Sequence, residues 1–225
     1  FFKTDDNNSR KFFYPPSVTL EKGFDMVFMG TGDRENACCN NSNNACSFIG
    51  PDIIAAAKET HSLTTIIGET HLVDTTEPTA TSSNLSFDKG WYIRLVDSSK
   101  TTVGEKALAE STVFYKVFYI TTFTPNDDPC MPGGESKLYA LSYLTGGAAM
   151  DFDDDDTNDR SVIIGGGIPS KPVMVIRDSG TNLLISIGST NPDEESEDVA
   201  AGVLVIDPVV PDVNFFYLWW RELFN

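Results

Sequence analysis

A strand pattern that returns three times along the chain constrains its fold more than any other feature. Each copy opens on an approach containing a turn or small residue, "YPPSVTL", "LAESTVF" and "IPSKPVMV", that runs into a hydrophobic strand. A second strand follows and ends in Gly, Thr or Asn with Asp, in "FMGTGDRE", "ITTFTPNDD" and "SIGSTNPDEE". A third comes after an insertion, in "CSFIG", "KLYALSYL" and "GVLVIDP". Val18, Val113 and Val173 are equivalent positions, unequally spaced because a long segment, 51–88, follows the first copy. Such a unit is a small antiparallel sheet that cannot cover both of its faces, so it must stack on neighbours of its own kind.

The remaining pattern agrees. Strand signals dominate at 18–30, 90–96, 111–124, 136–144, 171–178, 182–188, 202–210 and 214–220, rich in β-branched and aromatic residues and separated by Gly, Pro, Asn and Asp. Only "DIIAAAKE" (52–59) reads as a short helix. The expected fold is all-β, a partial β-propeller of about three blades plus a closing C-terminal strand, "NFFYLWW". Propellers close with at least about four blades. Residues 1–225 are therefore expected to form the C-terminal part of one propeller domain, with an inserted loop and short helix at 51–88. The remaining blades would come from upstream sequence or from another chain.

Charge narrows the partners. Sixteen Lys and Arg against 33 Asp and Glu leave a formal charge of −17, which repels phosphate backbones and anionic lipid and attracts divalent cations. Nucleic acid is excluded as an expected partner. No run of about 18 apolar residues is present to make a transmembrane helix. Cys38, Cys39, Cys46 and Cys130 form no CxxC, which disfavours zinc and covalent haem. They are disulfide candidates for an oxidising compartment, with each of the neighbours Cys38 and Cys39 expected to pair with Cys46 or Cys130; free buried thiols are the alternative.

The most acidic stretch is "DFDDDDTNDR" (151–160). Calcium takes six to eight oxygens, and a loop with ligands at positions 1, 3, 5, 7 and 9 supplies them from one turn. Asp151, Asp153, Asp155, the Thr157 carbonyl and Asp159 meet that spacing. Position 6 is Asp156 rather than Gly, and position 12 is Val162 rather than Glu, so a solvated acidic turn between one blade and the next fits the same residues. "NPDEESED" (191–198) lacks the D-x-D spacing and reads as a solvated loop. In "GTGDRE" (30–35) the glycines permit a tight turn and Asp33 beside Arg34 could form an ion pair, outside the strand-to-helix context of a phosphate loop.

Several stretches, in order, resemble one family. "RKFFYPPSVTLEKGFDMVFMGTGDRE", "KGWYIRL", "GEKALAESTVFYKVFYITTFTPNDDPC", "GGESKLYALSYLTGG", "GGGIPSKPVMVI" and "WWREL" are similar to the C-terminal propeller of the PilY/PilC family, tip-associated adhesins and biogenesis factors of type IV pili. The resemblance implies a seven-bladed, modified propeller on a larger secreted protein. It also implies roles in pilus assembly, adhesion and control of retraction, with calcium as regulatory ion and no enzymatic activity. Pilin or minor pilins, the missing blades and a host or surface receptor would be partners, at the pilus tip or bacterial outer surface. The cysteine cluster and 51–88 depart from the family pattern.

No G-x-S-x-G or H-E-x-x-H motif occurs, and His61 and His71 lie in a polar, Thr-rich stretch where exposed His is ordinary. Two other classes remain as alternatives. One is a quinoprotein-like dehydrogenase propeller, suggested by adjacent cysteines but lacking repeated tryptophans, since only Trp91, Trp219 and Trp220 exist. The other is a structural subunit of an extracellular filament or complex.

Overall fold

In the computed structural model the described residues are 2–3, 10–36, 51–61, 66–77, 86–99, 104–126, 133–178, 180–188, 199–200 and 202–210. They form strands β1 (Phe2–Lys3), β2 (Ser17–Glu21), β3 (Phe24–Gly30), β4 (Ile53–Glu59), β5 (Ile67–Gly68), β6 (Val73–Asp74), β7 (Gly90–Arg94) and β8 (Thr112–Phe114). The later strands are β9 (Val117–Pro125), β10 (Gly134–Ser142), β11 (Ser161–Gly166), β12 (Val173–Arg177), β13 (Gly180–Ser186), β14 (Val199–Ala200) and β15 (Val203–Ile206). Single-turn helices occupy Arg34–Asn36 and Glu69–His71. The chain is all-β, as expected.

Three sheets carry the fold. The first has the order β2-β3-β4-β7-β6, antiparallel except for the β6–β7 edge. The second is a four-stranded antiparallel meander, β8-β9-β10-β11. The third is β12-β13-β15-β14, and a small parallel pair, β1-β5, lies apart. The equivalent valines fall on β2, β8 and β12, the first strand of each sheet. These strands also meet in space, because Ser17 Oγ lies 2.8 Å from the Ser111 carbonyl and Thr112 Oγ1 donates to the Pro172 carbonyl at 2.6 Å.

Alternation along the central strands explains the stacking. On β9, Phe118 and Ile120 face the first sheet while Val117 and Tyr119 face the third; on β10, Tyr139 and Leu141 take the first direction and Leu138 and Ala140 the second. Phe118 stacks on Phe28 of β3 at 4.9 Å between ring centroids and meets the edge of Trp91 at 6.2 Å. The Trp91 indole donates to the Tyr143 carbonyl at 3.1 Å, so its one polar atom is satisfied inside the core. A fully buried Phe, Leu or Ile contributes about 1.5–3 kcal/mol, and here those side chains join one sheet to the next.

Three expectations change. Residues 53–59 form β4, the centre of the first sheet, rather than a helix. Ile54 and Ala56 pack toward the second sheet while Ile53, Ala55 and Ala57 pack on Ile67 and Leu72, so burial on both faces produced an unbroken apolar run that does not distinguish strand from helix. This strand takes the third place in the first sheet, the place expected for "CSFIG", whose residues 46–50 lie outside the described ones. The acidic stretch does not link blades: β10 and β11 flank it in the same sheet, where "SVIIGG" adds a fourth strand that the three-strand unit does not include. "NFFYLWW", "NPDEESED" and all four cysteines also lie outside the described residues.

A connecting segment, 104–109, seals the first sheet to the second. Lys106 and Phe123 exchange backbone hydrogen bonds at 2.9 Å, and the Ala107 N–H donates to the Thr31 carbonyl at 3.0 Å. A Cβ at Gly32 would come within 2.7 Å of the Ala107 carbonyl oxygen. The glycines of "GTGDRE" thus admit a neighbouring backbone instead of forming a turn for a ligand. Glu105, with a fully buried side chain, accepts from Thr122 Oγ1 at 2.6 Å and Tyr139 OH at 2.9 Å and lies 3.4 Å from Lys137 Nζ. Nearby, Arg10 pairs with buried Glu69 and donates to the Pro51 carbonyl at 2.6 Å.

Candidate functional site

The aspartate loop hangs from the β10–β11 hairpin. Its base is closed by the Met150–Asp159 bridge, with the Asp159 N–H donating to Met150 at 2.7 Å. Asp151 organises the turn from inside, accepting from the N–H groups of Asp153 and Asp155 at 3.3 Å and Asp156 at 2.9 Å. Asp154 and Asp156 adopt left-handed φ of 59° and 65°, a region Asp tolerates better than most residues. Position 6 of the spacing thus makes the sharp turn without a glycine.

Three of the candidate ligands converge. Oxygens of Asp151, Asp153 and Asp159 all lie within 4.8 Å of one another. Asp155 is engaged differently, accepting from the Thr157 N–H at 2.8 Å and from the Thr157 hydroxyl. These bonds hold the Asp155 carboxyl below its ordinary range. The Asp153 carboxyl is pushed up, first by desolvation and then by the charges of Asp155, Asp159 and Asp151. Clustered carboxylates that raise one another's proton affinity form a hard, all-oxygen donor set, which fits calcium or another hard cation and not a thiolate-seeking metal.

One positioning residue escaped sequence reasoning. Arg160 Nη1 donates to the carbonyls of Thr75 at 2.6 Å and Thr76 at 3.0 Å, tying the loop base to the end of β6 in the first sheet. A lone Arg closing a run of aspartates was the available signal. Its carbonyl partners lie more than eighty residues away.

The other singled-out residues serve local structure. Asp33 pairs with Lys11 at 2.9 Å rather than with Arg34, whose Nη1 donates to the Tyr14 hydroxyl and to the Leu108 carbonyl at 3.2 Å. His61 Nε2 lies 3.0 Å from Asp25 Oδ2 on the surface, and His71 Nδ1 accepts from the Gly68 N–H at 2.9 Å. Among the described residues no helix is long and apolar enough to cross a membrane.

Small sheets stacked face to face, with their first strands meeting along one side, define a β-propeller-like module, and the acidic hairpin gives it a candidate cation loop. Comparison with known proteins sharpens this. The structure is similar to the crystal structure of the Pseudomonas aeruginosa PilY1 C-terminal domain, with TM-score 0.54 and 16% identity, over 78% of this chain and 44% of that one. In sequence, the chain is 36% identical over 58 residues to the type IV pilus biogenesis factor PilY1 of Pseudomonas aeruginosa, and 42% identical over 59 residues to PilY1 of another strain. Each match takes in 26% of this chain and 5% of the relative's length. No protein-family model matches the chain. Fold and sequence likeness together support a PilY1-like C-terminal domain.

Proposed function

We propose that this chain is a non-enzymatic module of type IV pilus biogenesis, acting at the pilus tip or bacterial outer surface in assembly, retraction control and adhesion. The observation that carries the proposal is the coincidence of a propeller-like fold similar to the PilY1 C-terminal domain with sequence likeness to PilY1 itself. Pilin or minor pilins are the partners this reading implies, together with a host or surface receptor for adhesion.

Further blades belong to the same proposal. Leu183 and Ile185 point from the third sheet into the core shared with the second, whereas Val173, Leu184 and Val205 line up in register on its other face. Val173 is 43% exposed, and an apolar sheet face of this kind suits another sheet packed against it. The PilY1 domain structure has more than half its length outside the matched region, which supports that reading.

Calcium is proposed as the regulatory ion. Asp151, Asp153 and Asp159 would hold it, with Asp155 and the Thr157 carbonyl as the remaining members of the spacing. Deleting the encoding gene from its bacterium tests the function. Loss of surface pili and of pilus-dependent motility, restored by the intact gene, is expected; normal piliation and motility in the deletion strain would overturn the proposal.

A further inference from the structure

Arg34 is flanked in sequence by two carboxylates, yet it pairs with neither. Lys11 takes both, lying 2.9 Å from Asp33 and 3.4 Å from Glu35. Among the described residues the Arg34 guanidinium has no ion-pair partner, in a chain with 33 acidic residues. Its described hydrogen bonds run from Nη1, to the Tyr14 hydroxyl and the Leu108 carbonyl. A guanidinium carries five N–H donors in a planar fork, so the remaining donors are available to a ligand.

The group borders a cleft of about 510 Å³. Five stretches build it: the approach to β2 at Tyr14, the turn after β3, the approach to β8, the link from β11 to β12, and the end of β13. Leu108 and Ile187, 2% and 6% exposed, give it an aliphatic floor. Lys171 also lines it, held 3.0 Å from Glu110, itself a lining residue, in an exposed pair that is weak and easily exchanged. In the antiparallel meander this end of the sheets is opposite the β10–β11 turn, so the cleft lies away from the aspartate loop.

We infer that this cleft binds the carboxylate of an extended acidic peptide segment from a partner protein, with Arg34 as the fork, Lys171 as the second cation and Leu108 and Ile187 receiving an adjacent apolar side chain. Arg–carboxylate pairs are strong when both nitrogens engage the two oxygens. An otherwise repulsive −17 surface makes such a fixed cation selective for where an anion lands. The aliphatic floor favours a peptide over an acidic sugar. A sugar ring would pack on an aromatic face, and the Arg34 guanidinium already sits 5.9 Å from the Tyr14 ring centroid.

The inference is independent of the pilus reading, because binding is measured on the chain itself. The ¹⁵N-labelled chain is titrated with the acetylated peptide GSGLVE carrying a free carboxyl terminus, and with its glutamine-amide counterpart. Signals of Arg34, Leu108, Lys171 and Ile187 are expected to move with the acidic peptide, with affinity at least about tenfold weaker for the amide and for Arg34→Gln. Arg34→Lys should retain part of the binding, and Lys171→Gln, at an exposed side chain outside the core, should weaken it by a smaller factor. Equal affinity for both peptides, unchanged affinity in both the Arg34→Gln and Lys171→Gln chains, or tighter binding of glucuronate than of the peptide would overturn the assignment.

Discussion

Gly30, the last residue of β3, lies directly against Ala107 in the segment that seals the first sheet to the second. A Cβ at position 30 would overlap the Ala107 Cβ and come within 2.8 Å of the Ile120 Cδ1. Gly30→Val is therefore expected to force the sheets apart and cost about 1–3 kcal/mol, as overpacking of a filled core does. Urea unfolding followed by tryptophan fluorescence checks it, since Trp91 lies in the same core. An unchanged midpoint would mean that the two sheets do not approach as described.

Glu105 carries a larger expected effect. Its buried carboxylate is the shared acceptor for Thr122 and Tyr139 and the ion partner of Lys137. Burial, followed by the Glu105 charge, pushes the Tyr139 phenol well above its ordinary range, so it stays a donor. Glu105→Ala strands these partners and should destabilise the chain by about 3 kcal/mol, while Glu105→Gln, which keeps an acceptor, should cost less. Comparable denaturation midpoints for the two variants would contradict the network.

Acid titration should separate two aspartates by sign. Burial works against the Asp74 charge, but the Thr76 side-chain and backbone hydrogen bonds, with Arg94 and Tyr92, bring its carboxyl below the usual 3.8. Its contribution to stability is present above that unfolded value and is lost as pH falls through the lower folded one. Asp52 is opposite. Burial raises its carboxyl despite the Thr31 hydroxyl at 2.7 Å, so its contribution is present below 3.8 and is lost as pH rises through the raised folded value. Unfolding midpoints from about pH 3 to 6 should show Asp74→Asn flattening the acid-side fall and Asp52→Asn steepening it.

Calcium provides a fourth test. Saturation at one hundred times Kd is expected to add about 2.7 kcal/mol of stability to the wild type. Asp153→Asn combined with Asp159→Asn should remove that gain, because two of the three converging carboxylates are lost. Without calcium, the same double change should raise the melting temperature slightly by relieving repulsion around Asp153. Calorimetric titration showing equal calcium affinity in wild type and double variant would leave the loop as a solvated turn.

The candidate loop was legible as a spacing and illegible as a shape. Asp151, Asp153 and Asp159 meet as the spacing requires, yet Asp155 turns back to Thr157, a choice made by two local hydrogen bonds that no count of aspartates reveals. Arg160 was invisible for a different reason. Its partners are backbone carbonyls in another sheet, and carbonyls carry no sequence identity.

By itself the sequence determined the all-β class, the threefold return of the unit and the equivalence of Val18, Val113 and Val173, because alternation and turn residues act over a few positions. Tertiary structure alone decided that 53–59 is a central strand, that 161–166 completes the second sheet, and that the Gly30 and Gly32 pair admits Ala107. Burial on both faces removes alternation from Ile53–Glu59, and the room that glycine leaves is filled by a segment more than seventy residues away. Long-range packing selects between local structures that the chain's own neighbours leave equally favourable.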